Sequence, residues 1–177
     1  MLDIAVAYNK YKFLGNEFLT WLWYVIENEI SINELTKIKD KQIVLKIGNS
    51  IVLENSLGDD AKEKISIKGD DAGLEEGTMA LKKGGVVTEI NLNLKIDEAE
   101  YRFTIKGESM NITGLKTPPS GKIEGPDEVE GAVLEKVFLC SNVFEIVDAL
   151  YSSYIKRRIS DNWTAGDLVA MRKWVQI

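Results

Sequence analysis

The sequence predicts an α+β fold in which an antiparallel sheet meander packs against a few helices. Apolar and polar residues alternate over residues 86–96, which is typical of a strand with one buried and one wet face. The alternation returns after the turn at Asp97-Glu98 and again after Gly107, which predicts two further strands. A chain of 177 residues with 45% apolar residues can bury a substantial core. We expect one domain, or two small subdomains at 1–69 and 70–177.

The first part of the chain predicts a strand and then a helix. Apolar residues alternate over 2–8, the period of a strand. Over 17–29 they recur every three or four positions, which predicts a helix with Asn16 as its N-cap.

A hairpin and a short strand are predicted next. Two alternating stretches, 43–47 and 50–54, flank Gly48-Asn49, a residue pair that tolerates the positive φ of a tight turn. Residues 65–68 alternate as well, so we expect a third short strand there.

A helix is predicted before the meander. Asp70 or Asp71 can cap it, and Leu74, Thr78 and Leu81 share one face. Lys82 and Lys83 fall in its last turn, where cations offset the negative end of the helix dipole, and Gly84-Gly85 supplies a left-handed exit.

The last third allows two interpretations. Residues 133–159 can be drawn as one long amphipathic helix, but the continuous apolar run 137–140 favours a break. We therefore predict a buried strand over 137–140 and a helix capped by Ser141. Thr164 and Asp167 have the spacing of a capping box, which predicts a terminal helix.

The composition argues against most enzyme classes. The chain has no histidine, which excludes Ser-His-Asp and Cys-His catalysis, and it has no phosphate loop, dinucleotide fingerprint or paired-cysteine zinc spacing. Cys140 lies in an apolar run, where a thiol is usually an inert core residue. Clustered carboxylates such as Asp59-Asp60 are interpreted as solvated charges rather than a nuclease magnesium site. We predict a protein that is not an enzyme and has no cofactor and no metal.

The charge distribution allows local anion binding. The net charge is −6, and only four of the 22 basic residues are arginine, which disfavours base-specific readout in the major groove. Lys156, Arg157 and Arg158 end a predicted helix, where capping is the simpler interpretation. Together with Arg172 and Lys173 they are candidates for a phosphate-binding patch. The wet face of the meander has lysines but no aromatic residue, so it lacks the stacking platform of an RNA-recognition sheet.

The aromatic helix and the cysteine content give two further expectations. Trp21 is typical of core packing, whereas Trp23 and Tyr24 are candidates for contact with a neighbouring subunit. One cysteine, no leader pattern and no apolar run of about 20 residues predict a cytoplasmic protein that does not enter a membrane.

Several runs resemble the C-terminal half of the bacterial recombination-associated RdgC family. They are LEEGT at 74–78, LKKGGVVTEINL at 81–92 and YRFTI at 101–105, with Leu115-Lys116 after them. Residues 13–23 are similar to the LGxEFLxWLW stretch of some relatives. The resemblance implies a nucleoid-associated dimer that binds double-stranded DNA without sequence preference and restrains recombinase loading. It places Lys68 at a lysine pair of the family and Lys82 and Lys83 beside another lysine position.

Two classes of function therefore stay open. The first is a non-enzymatic, sequence-independent DNA-binding protein that modulates recombination. The alternative is a protein-interaction or oligomerisation module that does not bind DNA.

Overall fold

The computed structural model describes residues 4–56, 62–69, 74–121, 125 and 128–176. It confirms the α+β prediction, because five antiparallel strands form one sheet with the order β2-β1-β3-β4-β5 and the helices pack beside it. The strands are β1 (Ile43–Ser56), β2 (Lys62–Lys68), β3 (Val86–Ile96), β4 (Ala99–Lys106) and β5 (Asn111–Lys116). The helices are α1 (Ile4–Tyr11), α2 (Phe13–Glu27), α3 (Ile32–Thr36), α4 (Leu74–Lys82), α5 (Val129–Arg158) and α6 (Leu168–Gln176), with a π-helical turn at Trp163–Asp167. Strands from both sides of residue 69 belong to this one sheet.

One face of the sheet, which we call the inner face, is buried under the helices. Its side chains alternate along each strand with those of the opposite, outer face. Helix α2 lies against this inner face, mainly over β3 and β1. The buried inner residues of the three central strands are Ile43, Leu45, Ile51, Leu53, Val87, Ile90, Leu92, Leu94, Ile96, Tyr101, Phe103 and Ile105.

Aromatic residues of α2 join the helices to each other. Phe18 packs edge to face on Tyr151 of α5, with ring centroids 5.2 Å apart, and Trp21 lies 5.7 Å from Tyr154. Trp23 meets Trp174 of α6 at 5.4 Å. Such pairs stabilise a core beyond the apolar area that they bury. The aromatic segment is therefore the centre of the helical layer.

The strand predicted over 2–8 is wrong for residues 4–8, because the chain is helical from Ile4 to Tyr11; residues 2 and 3 lie outside the described residues. The alternation there runs through Ala5 and Ala7, which favour helix over strand. The helix predicted over 17–29 is present as α2, but it begins earlier, at Phe13, and ends at Glu27. Asn16 consequently lies inside the helix instead of capping it, and its carbonyl accepts a hydrogen bond from Thr20 Oγ1 at 3.0 Å.

The predicted hairpin is also wrong. Residues 43–56 form the single strand β1, which pairs with β3 on both sides of an irregular stretch between Ile47 and Ile51. Gly48 passes so close to β3 that a Cβ would lie 2.0 Å from Asn91 Oδ1, and Asn49 N donates to that same oxygen at 3.1 Å. Tertiary pairing with a long neighbour therefore replaces the local turn.

Helix α4 and the three meander strands are present as predicted, but the predicted alternation is wrong at the start of β3. Helix α4 ends at Lys82, and Gly84 has the expected positive φ, +88°. The predicted caps Asp70 and Asp71 lie outside the described residues. Within β3 a register shift at Thr88 changes the phase of the alternation, so that Val87 is buried and Val86 is exposed.

The predicted break in the last third is wrong. Helix α5 is continuous from Val129 to Arg158, and Val137 and Phe138 are 57% and 63% exposed rather than buried in a strand. Ser141 Oγ donates to Val137 O within the helix, so it is no cap. A short apolar run does not distinguish strand from helix, and neither glycine nor proline interrupts residues 132–165.

The terminal helix is confirmed, but its start differs. Residues 163–167 form a π-helical turn, and Asp167 forms an ion pair with Arg157 at 2.9 Å instead of a capping box with Thr164. Met171 of α6 is buried, and Trp174 and Val175 pack against the core as predicted.

Candidate nucleic-acid interface

The outer face of the sheet carries most of its charge as cations. The strand alternation that buries Ile90, Leu92 and Leu94 points their neighbours outward. Seven basic side chains lie on this face among the described residues: Lys46, Lys64, Lys68, Lys95, Arg102, Lys106 and Lys116. Three acidic ones accompany them: Glu54, Glu89 and Glu100. The face is therefore positive on a chain whose net charge is −6.

Four outer residues form one row across the sheet. Strand register places Lys46 opposite Asn93, Asn93 opposite Arg102, and Arg102 opposite Lys116. Neighbouring strands are about 4.8 Å apart, so the row spans roughly 14 Å. Arg102 Nε donates to Asn93 Oδ1 at 2.9 Å, which orients the guanidinium and leaves its terminal nitrogens for another acceptor.

The row lines an open basin on the outer face. The basin has a volume of about 480 Å³ and extends over Val44, Lys95, Glu100 and Thr117. Leu94 and Tyr101 also line the basin, but they are 1% and 3% exposed and belong to the buried inner face, and no aromatic side chain points outward from the described strands. The basin can hold an anion by charge, but it offers no ring on which a base could stack.

Carboxylates neutralise only part of this face. Lys64 lies 3.5 Å from Glu89, and Lys95 lies 3.6 Å from the turn residue Glu98. Among the described residues, no carboxylate lies at ion-pair distance from four of the lysines, which are Lys46, Lys68, Lys106 and Lys116. These lysines keep their charge available to a ligand.

Of the eight DNA-contact residues predicted from the sequence, Lys68 lies on this face. It is exposed at the end of β2, opposite Ser50 of β1. Lys82 and Lys83 are exposed at the end of α4, which packs against the inner side of β1 and β2. Arg172 and Lys173 are exposed on α6, which packs against α4. Lys68 therefore belongs to the outer face of the sheet, whereas the four residues at α4 and α6 belong to the helical layer.

The three basic residues at the end of α5 have different surroundings. Lys156 is exposed, whereas Arg157 is paired with Asp167 at 2.9 Å. Arg158 donates to Glu17 at 2.5 Å and lies over the ring of Trp163, 5.5 Å from its centroid. The two arginines join α5 to the π-helical turn and to α2, and their charges are neutralised within the molecule.

The predicted subunit-contact residues lie in the helical layer. Trp23 has no exposed surface, and Tyr24 is half-buried against Trp174, with ring centroids 5.7 Å apart. A side chain without exposed surface is not available to a second subunit in this fold.

Sequence reasoning missed most of the outer-face cations. The alternation places Lys95, Arg102 and Lys106 on a wet face, but a wet face without aromatic residues does not by itself indicate nucleic-acid binding. The predicted hairpin separates Lys46 from Asn93, so the sequence does not predict that the two are neighbours. Strand order, which places β1 between β2 and β3, is the missing information.

The described part of the chain contains no recognisable catalytic arrangement. No cluster of three potential metal-binding side chains occurs within it, and Cys140 is half-buried. None of the described helices is long and apolar enough to cross a membrane.

Comparison with family models, curated proteins and solved structures finds no match for the chain.

Proposed function

We propose that the protein binds double-stranded DNA without sequence preference, through the cations on the outer face of its sheet, and catalyses no reaction. The observation that supports this proposal is the row Lys46, Asn93, Arg102 and Lys116 on an exposed, positively charged face. A duplex presents closely spaced phosphates, and lysines bind them as point charges without reading the bases.

The chemistry of the face favours a duplex over a single strand. Non-specific single-strand binding depends on aromatic side chains on which bases stack, and no aromatic residue points outward from the described strands. One arginine among seven cations gives little capacity for bidentate recognition of guanine. Phosphate contact is the interaction that remains.

The proposal includes the biological context implied by the resemblance to RdgC. A cytoplasmic, nucleoid-associated protein that coats duplex DNA would restrain the loading of a recombinase. This part of the proposal predicts that the protein slows strand exchange in proportion to its occupancy of the duplex.

Fluorescence anisotropy with an arbitrary labelled duplex tests the binding proposal. We expect binding at about 50 mM salt that weakens steeply by about 200 mM, because phosphate contacts release counterions. A second duplex of unrelated sequence should bind equally well. No binding at the lower salt concentration would overturn the proposal.

Two triple variants with the same change in charge locate the interface. In Lys46→Ala/Arg102→Ala/Lys116→Ala we expect the affinity for the duplex to fall at least about tenfold. The slope of log K against log salt concentration should become shallower by roughly 2 to 3. The control Lys156→Ala/Arg172→Ala/Lys173→Ala removes three cations from the helical layer and should retain affinity within about twofold. Equal losses in both variants would show that net charge, rather than the outer face, controls binding.

We also propose self-association as a second function. Its support is a group of exposed apolar side chains on the first half of α5. Isolated apolar residues are normal on a surface, but contiguous ones mark interaction sites.

A further inference from the structure

The first half of α5 presents apolar side chains to solvent. Val133, Leu134, Val137 and Phe138 are 56%, 62%, 57% and 63% exposed. Phe144, two turns further along, is 54% exposed. We call these five residues the α5 stripe.

The α5 stripe lies on the side of the helix opposite the core. Val137 and Ile146 are nine residues apart, which is about 180° at 3.6 residues per turn. Ile146 is 2% exposed, and the other buried apolar residues of α5 lie within about 100° of it around the helix axis, whereas the stripe residues lie on the remaining part of the circumference; those buried residues are Val143, Val147, Leu150 and Tyr154. The second half of α5 therefore buries an apolar face against the core, and the first half exposes an apolar face to solvent.

Polar contacts hold the first half of α5 to the body of the protein. Lys136 Nζ donates to Thr117 Oγ1 at 2.5 Å, and Gly121 N donates to Glu135 Oε2 at 3.4 Å. These bonds attach the helix to the segment that follows β5. They leave the apolar stripe free to contact another molecule.

We propose that two copies of the chain pair through their α5 stripes around a two-fold axis, an inference that rests on the proposed self-association. Five side chains of this size, each more than half exposed, present on the order of 500 Å². Pairing would bury about 1,000 Å² in total, the lower limit of a specific interface. A two-fold interface needs one self-complementary surface, and one helix face provides it.

The sequence spacing fits helix-to-helix packing. Val133, Val137, Cys140 and Phe144 are separated by four, three and four residues, the spacing with which two helices interlock. The sequence of residues 128–144, which carries the stripe, holds three glutamates and one lysine, whereas helices that lie on membranes carry many lysines and arginines; these charged residues are Glu128, Glu130, Glu135 and Lys136. The excess of glutamate likewise disfavours nucleic acid as the occupant.

Sedimentation velocity from about 1 to 100 µM tests the pairing. We expect the wild-type chain to dimerise and Val137→Glu/Phe138→Glu to remain monomeric, because each interface would bury four uncompensated carboxylates. The control Ile159→Glu alters a residue that is 78% exposed at the end of the same helix and should dimerise like the wild type. Circular dichroism and urea unfolding check that all three proteins fold alike.

The possible results distinguish the α5 interface from the other proposals. A monomeric wild type overturns both self-association and the α5 interface, while duplex binding is measured separately. A dimer that persists in Val137→Glu/Phe138→Glu overturns the α5 interface alone. A wild-type monomer that co-sediments with phosphatidylcholine vesicles through the stripe would also overturn the pairing and identify a lipid surface as the occupant.

Discussion

Arg158 at the end of α5 forms an ion pair with Glu17 of α2, with Nε and Oε1 2.5 Å apart. The same carboxylate oxygen accepts a hydrogen bond from Tyr154 Oη at 2.8 Å. Both side chains of the ion pair are about one-third exposed, 35% and 31%. A cation that the sequence suggested for phosphate contact thus connects two helices of the core.

Glu17→Gln should destabilise the fold modestly. The amide oxygen can still accept from Tyr154, but the charge that pairs with Arg158 is lost. We expect a loss of about 1 to 2 kcal/mol, because partial exposure weakens the pair. Urea unfolding measures it. Glu98→Gln, which affects a carboxylate that is 99% exposed, serves as the control. A Glu17→Gln variant as stable as the wild type would show that the pair contributes nothing to the fold.

Tyr154 should make the protein sensitive to alkaline pH. Burial raises the pKa of Tyr154 above its ordinary value of 10.0, and the hydrogen bond to Glu17 and the charge of Glu17 raise it further. Below about pH 9 the phenol is neutral in both folded and unfolded chains and has no effect on the pH dependence. Above about pH 10 the unfolded chain loses the proton first, so stability falls as the pH rises.

Two measurements between about pH 8 and 11 test whether stability falls as the pH rises. They are the absorbance of tyrosinate and unfolding by urea. In Tyr154→Phe the decrease in stability above about pH 10 should be smaller than in the wild type, although lysines that titrate in the same range contribute to both. An identical pH dependence in the two proteins would contradict the assignment to Tyr154.

Two glycines in helices should respond to alanine with opposite sign. A Cβ on Gly77 of α4 would lie 2.4 Å from Cη2 of Trp23 and 2.9 Å from Cδ1 of Ile67. Alanine gains about 1 kcal/mol of helix propensity, but overpacking against a buried indole costs about 1 to 3 kcal/mol. At Gly131 of α5 the Cβ would meet no atom within 4 Å. We expect Gly77→Ala to lower the free energy of unfolding and Gly131→Ala to raise it by up to about 1 kcal/mol.

Thermal unfolding of the two glycine variants is the measurement. In a chain of this size a change of 1 kcal/mol moves Tm by about 2 to 4 °C. If both variants were stabilised, the close packing of α4 on Trp23 would not be a constraint in solution.

The sequence predicted those elements whose pattern is local and long. The alternation over β3 and β4 and the glycine exit of α4 are of this kind. The prediction failed where contact with a distant part of the chain determines the structure. Around Gly48, for example, the chain continues along β1 and pairs with β3 instead of turning back into a hairpin. It also failed for α5, where two apolar faces on opposite sides of one helix leave no single periodicity. The outer-face cations could not be predicted from a local pattern either. Lys46, Arg102 and Lys116 become neighbours only through the order of the strands in the sheet.

Asn91 should be the residue that holds the irregular stretch of β1 in place. Its Oδ1 accepts from Asn49 N at 3.1 Å, and its Nδ2 donates to Thr104 Oγ1 at 3.0 Å and to Phe103 O at 3.2 Å. Asn91→Ala leaves these partners unsatisfied near a buried site, and we expect it to cost about 2 to 3 kcal/mol. Asn93→Ala, two residues along the same strand, removes a bond to an exposed arginine and should cost less than about 1 kcal/mol.

Hydrogen exchange separates this local role of Asn91 from a general loss of stability. The amide of Asn49 should lose protection in Asn91→Ala beyond the decrease shared by all core amides, because its acceptor is gone. In Asn93→Ala the exchange of that amide should match the wild type. If the Asn49 amide exchanged at the same rate in both variants, β1 would keep its path without Asn91, and Gly48 and the pairing with β3 would have to be sufficient to hold it.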